Sequence, residues 1–247
     1  MAVGPEWTLI ALAAGLYLYD SARLLYYNEG VLVSRRGGWL VKFGWRAFRI
    51  RGKEIFLPHP LFPHRATFRL PWSVEAAGGA STRDWAALAR RFRPLVAFVW
   101  GMATALFVLL PLGLFSRLGE KMILAAAVIL YLNIAAALVW IALHRAELEL
   151  SRRRLAALAF ESLVCSPFAL NLVRKISSEM ALSDDLMAAA RGLQGERDWS
   201  ATRAQFIARI DEELEAEDEE SERASKLRRY RGQLQDEAVA CLPPKSS

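Results

Sequence analysis

The sequence predicts an α-helical integral membrane protein. It would have three transmembrane helices (N-terminus outside, C-terminus inside), a small basic β-rich cytosolic loop and a helical cytosolic C-terminal region. Three observations carry this reading. The 247 residues are 54% hydrophobic yet include 32 Lys and Arg, a combination that resolves if the apolar residues are gathered into spans. Residues 94–115 and 122–143 contain no charged side chain. The Lys and Arg residues then fall on alternate sides of the spans.

Residues 1–27 form the first predicted element, an N-terminal transmembrane helix. Its run "WTLIALAAGLYLY" is apolar up to Asp20, and Trp7, Tyr26 and Tyr27 stand where interfacial aromatics belong. No Lys or Arg precedes Trp7 and no clear small-residue cleavage site follows, so it does not read as a signal peptide. Asp20 and Arg23 are three apart and read as a pair near the cytosolic end, with Arg23 reaching toward water.

Residues 28–80 are the basic β-rich cytosolic loop. Together with the next element, to residue 93, they hold 13 Lys and Arg against four acidic residues. Apolar and basic positions alternate around Trp39, Val41, Phe43, Phe48, Ile50, Phe68 and Leu70. This predicts three to five short strands with one apolar and one basic face. The stretch "YYNEGVLVSRRGG" resembles the start of stomatin-like band-7 proteins. Further spans stand where that domain would continue, so no property of that family is carried over.

The same loop contains "FLPHPLFPHR", with two of the three histidines in the chain. Pro58, Pro60 and Pro63 remove three backbone donors and predict an extended connector. His59, His64 and His144 all fall on the cytosolic side, so a three-histidine metal site is conceivable. No helical His pair, HExxH or CxxC supports it, and the histidines read as turn and interface residues. No metal and no cofactor is expected. Cys165 and Cys241 read as free thiols in a reducing compartment rather than a disulfide.

Residues 81–93, "STRDWAALARRFR", predict an amphipathic juxtamembrane helix capped by Ser81, with Trp85, Leu88 and Phe92 on its apolar side. Arg90, Arg91 and Arg93 would meet anionic lipid headgroups. No nucleic-acid reading element accompanies these arginines, so nucleic acid is not an expected partner.

Residues 94–143 form a transmembrane helical hairpin. Each apolar run of 22 residues extends about 33 Å as a helix, enough for a hydrocarbon core of about 30 Å. A turn at 116–121 would bring Thr104 beside Asn133 as an interhelical polar pair at mid-span. Pro111 predicts a kink.

Residues 144–195 are read as a cytosolic helical region, with the third span continuing as helix through "HRAELELSRRRLAALAFESLVC". Ser166-Pro167 would open a helix whose apolar residues are spread too widely for a solvated one, and Ser183 would cap the next. Residues 196–247 are a charged helical tail capped by Ser200. Its short stripe of Phe206, Ile207, Ile210 and Leu214 precedes an acidic block and then a basic block.

No P-loop, GxSxG or zinc motif and no paired carboxylates in a span are present. The favoured function is therefore an inner-membrane scaffold, assembly factor or regulator. Its protein partner would bind through the cytosolic C-terminal region. The alternatives are a membrane enzyme acting on lipid-linked substrates at the cytosolic leaflet, through His59, His64 and the loop arginines, or a transporter accessory subunit.

Overall fold

The computed structural model describes residues 4–73, 81, 83–117, 119–180, 182–218 and 221–240. Cys241 and the tail behind it lie outside the described residues. The chain divides into two compact units. The first comprises Met1–Tyr27, Phe43–Arg69 and Arg83–Leu182. The second comprises Asn28–Lys42, Leu70–Thr82 and Ser183–Ser247.

Two helical stretches are long and apolar enough to cross a membrane, Leu95–Phe115 and Gly119–Leu143. Both belong to the first unit. The earlier one consists of α3 (Leu95–Thr104), a π-helical turn (Ala105–Leu109) and α4 (Leu110–Phe115); α1 and α2 are described below. Pro111 has no N–H to continue the ladder, and the widened turn before it absorbs the missing bond. Helix α5 (Gly119–Leu143) returns antiparallel after a turn in which Gly119 takes φ 42°. The two helices nearly touch. A Cβ on Gly113 would lie 2.9 Å from the Ile123 nitrogen, and one on Gly101 would run into Asn133 Oδ1.

Helix α1 (Pro5–Ser21) is shorter than the 1–27 span expected for it. Its 17 residues extend about 26 Å. Ala22 is already extended, and residues 23–25 form strand β1 (Arg23–Leu25). Trp7 packs on Phe115 and Tyr17 on Phe107, with ring centroids 4.9 and 5.9 Å apart. Helix α1 therefore runs antiparallel to Leu95–Phe115, and Ser21 ends near the middle of that helix.

The expected continuous helix after Leu143 is replaced by a reversal. Glu149 takes φ 55°, Arg145 Nη1 donates to the Leu150 carbonyl at 3.0 Å, and Leu148 and Leu150 are buried. Burying both leucines requires the turn that a straight helix would not make. Helix α6 (Arg152–Val164), capped by Ser151, then runs back along α5. The Tyr131 hydroxyl, at the middle of α5, reaches the Leu163 carbonyl at 3.4 Å. The short α7 (Ser166–Ala169), opened by Pro167, turns the chain into α8 (Leu172–Glu179), antiparallel to α6. Arg154 bonds Glu179, and Lys175 bonds Glu161, between the two.

Helix α2 (Trp85–Arg90) is capped by Asp84, whose carboxylate accepts the Ala87 N–H at 2.8 Å, and not by Ser81. An Asp one residue before the first turn places its carboxylate where the free amides are. Trp85 and Phe92 both pack on Phe68.

The strands among the described residues form two three-stranded sheets. Besides β1 the strands are β2 (Glu29–Arg35), β3 (Gly38–Lys42), β4 (Trp45–Ile50), β5 (Lys53–Phe56) and β6 (Thr67–Pro71). The first unit carries the antiparallel sheet β1-β5-β4, and β3-β2-β6 is the other. The 28–80 stretch is thus shared between the two units.

In the second unit, β2 and β3 form a hairpin turned at Gly37 (φ 85°). Asp185, not Ser183, caps α9 (Leu186–Leu193), accepting from Met187 and Ala188. Gly195, not Ser200, precedes α10 (Glu196–Ala216). Helix α11 (Glu222–Ala240) folds back on α10, with Arg223 on Glu213 and Arg231 on Asp211. The acidic block thus meets the basic block of the same tail. The Phe206 stripe is not a free surface: Phe206 and Ile210 are buried, and Phe206 stacks edge-on to Trp72 at 5.6 Å.

Candidate functional site

The most constrained polar site of the first unit is built around Arg174, which is 3% exposed. Asn171, Arg174 and Lys175 lie on or just before α8, among Leu170, Leu172, Val173 and Ile176, which are all buried. A helix buried on every side must pair whatever polar groups it carries.

Arg174 does so with neutral acceptors. Nη1 lies 3.3 Å from the Tyr17 hydroxyl, 3.2 Å from Ser21 Oγ and 3.2 Å from Asn171 Oδ1. Nη2 donates to the carbonyls of His59 at 2.7 Å and Phe62 at 2.9 Å. Nε, also buried, has no hydrogen-bond partner. Arginine stays charged.

Lys175, 4% exposed at its side chain, holds two carboxylates: Asp20 at 2.7 Å and Glu161 at 2.8 Å. Asp20 also accepts from Asn171 Nδ2 at 3.0 Å. The partner expected for Asp20 was Arg23. Arg23 instead donates to the Asp20 backbone carbonyl, because Lys175 and Asn171 occupy the carboxylate.

The proline-rich loop closes the site. Pro58, Pro60 and Pro63 offer no N–H, which leaves an excess of carbonyls. Arg174 takes those of His59 and Phe62, and the Tyr17 hydroxyl donates to that of Pro60 at 2.5 Å. The Leu61 N–H donates to His59 Nδ1 at 3.3 Å and the Phe62 N–H to the His59 carbonyl at 3.2 Å. His59 is thereby an acceptor inside its own turn. His64 lies against Trp100, ring centroids 5.4 Å apart, and its buried Nδ1 has no partner.

His144 is separate, stacked on Trp140 at 4.2 Å with Nδ1 2.9 Å from the Trp140 carbonyl. The described residues hold no group of three His, Cys, Asp or Glu side chains placed to share a metal ion. Asn133 turns its Nδ2 to the Ile129 carbonyl of its own helix at 2.8 Å and lays its amide on Gly101. Thr104, three residues beyond Gly101, is exposed. Arg90, Arg91 and Arg93 are exposed, and Arg91 donates to the Glu147 carbonyl at 2.7 Å, tying the start of the first apolar helix to the end of the second.

Sequence reasoning missed Arg174 and Lys175. The signal was present in "NLVRKISS": apolar residues on all sides of a short helix imply that its two cations are buried with it. As an assembly the site is a clamp. One guanidinium joins the end of α1, the proline loop and α8, and one ammonium joins α1, α6 and α8. No protein-family model, curated protein or solved structure matches the chain.

Proposed function

We propose that the chain is a multi-pass inner-membrane protein, N-terminus outside and C-terminus cytosolic, that holds a compact cytosolic unit at the bilayer in a scaffold, assembly or regulatory role. One observation carries the reading: the apolar helices and a separately cored α/β unit occur in one chain. Only 28% and 22% of the most apolar stretches of Leu95–Phe115 and Gly119–Leu143 are buried. The core helix of a soluble fold would be mostly covered. Leu124, Val128, Leu132 and Val139 are exposed along α5, a surface that lipid would cover.

In this reading α1 and β1 complete a third crossing. The basic residues at 90–93 and 152–154 lie at the cytosolic ends, where Arg90, Arg91 and Arg93 meet anionic headgroups. The loop at 57–66 and the α6–α8 hairpin are re-entrant, and the Arg174 clamp supplies the backbone satisfaction that non-helical chain requires at depth. The second unit, whose Phe206 stripe is used internally, offers a protein partner its outer helical surface.

Cysteine accessibility tests the orientation. In right-side-out vesicles lacking the native thiols, a cysteine at Gly119 reacts with an impermeant maleimide, and one at Ser225 reacts only after the membrane is opened. Reaction of Ser225 in sealed vesicles would overturn the proposal. Co-purification from native membranes should then yield a partner that a chain with surface charges of α11 reversed no longer holds.

A further inference from the structure

We infer that Trp45 and Phe48 form a wedge seated in the lipid of the cytosolic leaflet; the inference rests on the membrane reading above. Strand β4 is the edge of the sheet β1-β5-β4, and its pairing is broken. Trp45 faces Ile55 and Arg49 faces Glu54, so three residues of β4 bulge out where β5 has none. A bulge re-aims side chains. This one brings the Trp45 and Phe48 rings to 5.9 Å while leaving them 62% and 57% exposed. Ile50, two residues on, is 49% exposed. An aromatic cluster this open on an edge strand needs a covering.

The position of the bulge says what the covering is. Trp45 pairs with Ile55, next to Phe56, and Phe56 pairs with Arg23, two residues beyond the end of α1. The wedge is therefore at the α1 end of the sheet, two strands or about 10 Å to the side of Arg23. Since α1 ends level with the middle of the first apolar helix, this end of the sheet lies at lipid depth. Leu57 and Leu61, on the loop that leaves β5 at the same end, are exposed too. Arg46, Arg49 and Arg51 alternate with the apolar residues. Aromatic rings beside arginines suit the boundary between acyl chains and anionic headgroups. An acidic protein would be met by the arginines alone and would leave the rings uncovered.

A nitroxide at Phe48→Cys, in a Cys165→Ser, Cys241→Ser chain reconstituted into phosphatidylethanolamine–phosphatidylglycerol vesicles, tests this. Its accessibility to oxygen and to a nickel chelate is compared with that of labels at Leu132→Cys and Ser225→Cys. The expected oxygen-to-nickel ratio at position 48 resembles that at 132 and is several-fold above that at 225. A ratio at 48 equal to that at 225, with 132 in lipid, overturns the wedge and leaves the membrane reading intact. Dipolar broadening between labels at 48 on two copies overturns it in favour of a second chain. A label at 132 that is itself open to nickel overturns the membrane reading, and the wedge with it. Phe48 is exposed, so its replacement leaves the packing of the unit unchanged.

Discussion

Arg174 Nη2 donates to the backbone carbonyl of His59 at 2.7 Å across 115 residues of chain. The same nitrogen binds the Phe62 carbonyl, and Nη1 binds the side chains of α1 and Asn171. A guanidinium does this because its donors form a planar fork facing several directions, which an ammonium cannot reproduce. Arg174→Ala should destabilise the first unit by about 3–5 kcal/mol, the range for stranding partners of a buried charge. Arg174→Lys should recover less than half of that. Thermal unfolding in detergent, with the exposed Arg93→Ala as reference at under about 0.5 kcal/mol, checks both. A lysine variant as stable as the parent would show that charge, not the fork, holds the loop.

Three glycines allow a graded comparison. At Gly101 a new Cβ meets the Asn133 amide, the end of a side chain that can turn aside. At Gly113 it meets the backbone of Met122 and Ile123, which cannot. At Gly15 nothing lies within 4 Å. Gly113→Ala should cost the most, about 2–3 kcal/mol of overpacking, and Gly101→Ala about 1 kcal/mol or less. Gly15→Ala should be neutral or stabilise by up to about 1 kcal/mol, through the restricted unfolded chain. Melting temperatures of the three variants in one detergent give the order, and a Gly101 variant worse than the Gly113 variant would refute the stated contact geometry.

The apolar runs were legible because charge-free stretches of 22 residues have few other fates, and the strands because alternation survives in a short window. Helix α6 was legible as helix, but its direction was not. Its three leading arginines and Glu161 mask the apolar half around Phe160, Leu163 and Val164, and the contact of Leu163 with Tyr131 shows that it runs back along α5. The Arg174 site was hidden for a related reason. Its five acceptors come from segments around residues 17–21, 59–62 and 171, and local patterns say nothing about which distant carbonyl a cation will choose. The caps failed by two to five residues because Ser81, Ser183 and Ser200 each compete with a nearby Asp or Gly that the fold prefers. The Phe206 stripe was seen correctly as a stripe. What covers it, Trp72, lies 134 residues earlier.

Lys175 offers the sharpest separation of a buried charge from a buried shape. It is almost fully covered and faces Asp20, itself 11% exposed, and the more open Glu161. Lys175→Met keeps the volume of the stem but strands Asp20, so it should cost about 3–5 kcal/mol. Asp20→Asn keeps an oxygen for the Asn171 amide and removes the charge, leaving Glu161 to hold the ammonium; its cost should be smaller, about 1–3 kcal/mol. Combining Lys175→Met with Asp20→Asn and Glu161→Gln removes every charge of the group at once, and the desolvation that each ion suffers disappears with it. The triple variant should therefore melt closer to the parent than Lys175→Met alone does. A double-mutant cycle on Lys175 and Asp20 should give a coupling above about 1 kcal/mol. Additive losses would mean that the three side chains are solvated independently, and that the end of α1 is held by Arg174 without help from its neighbour.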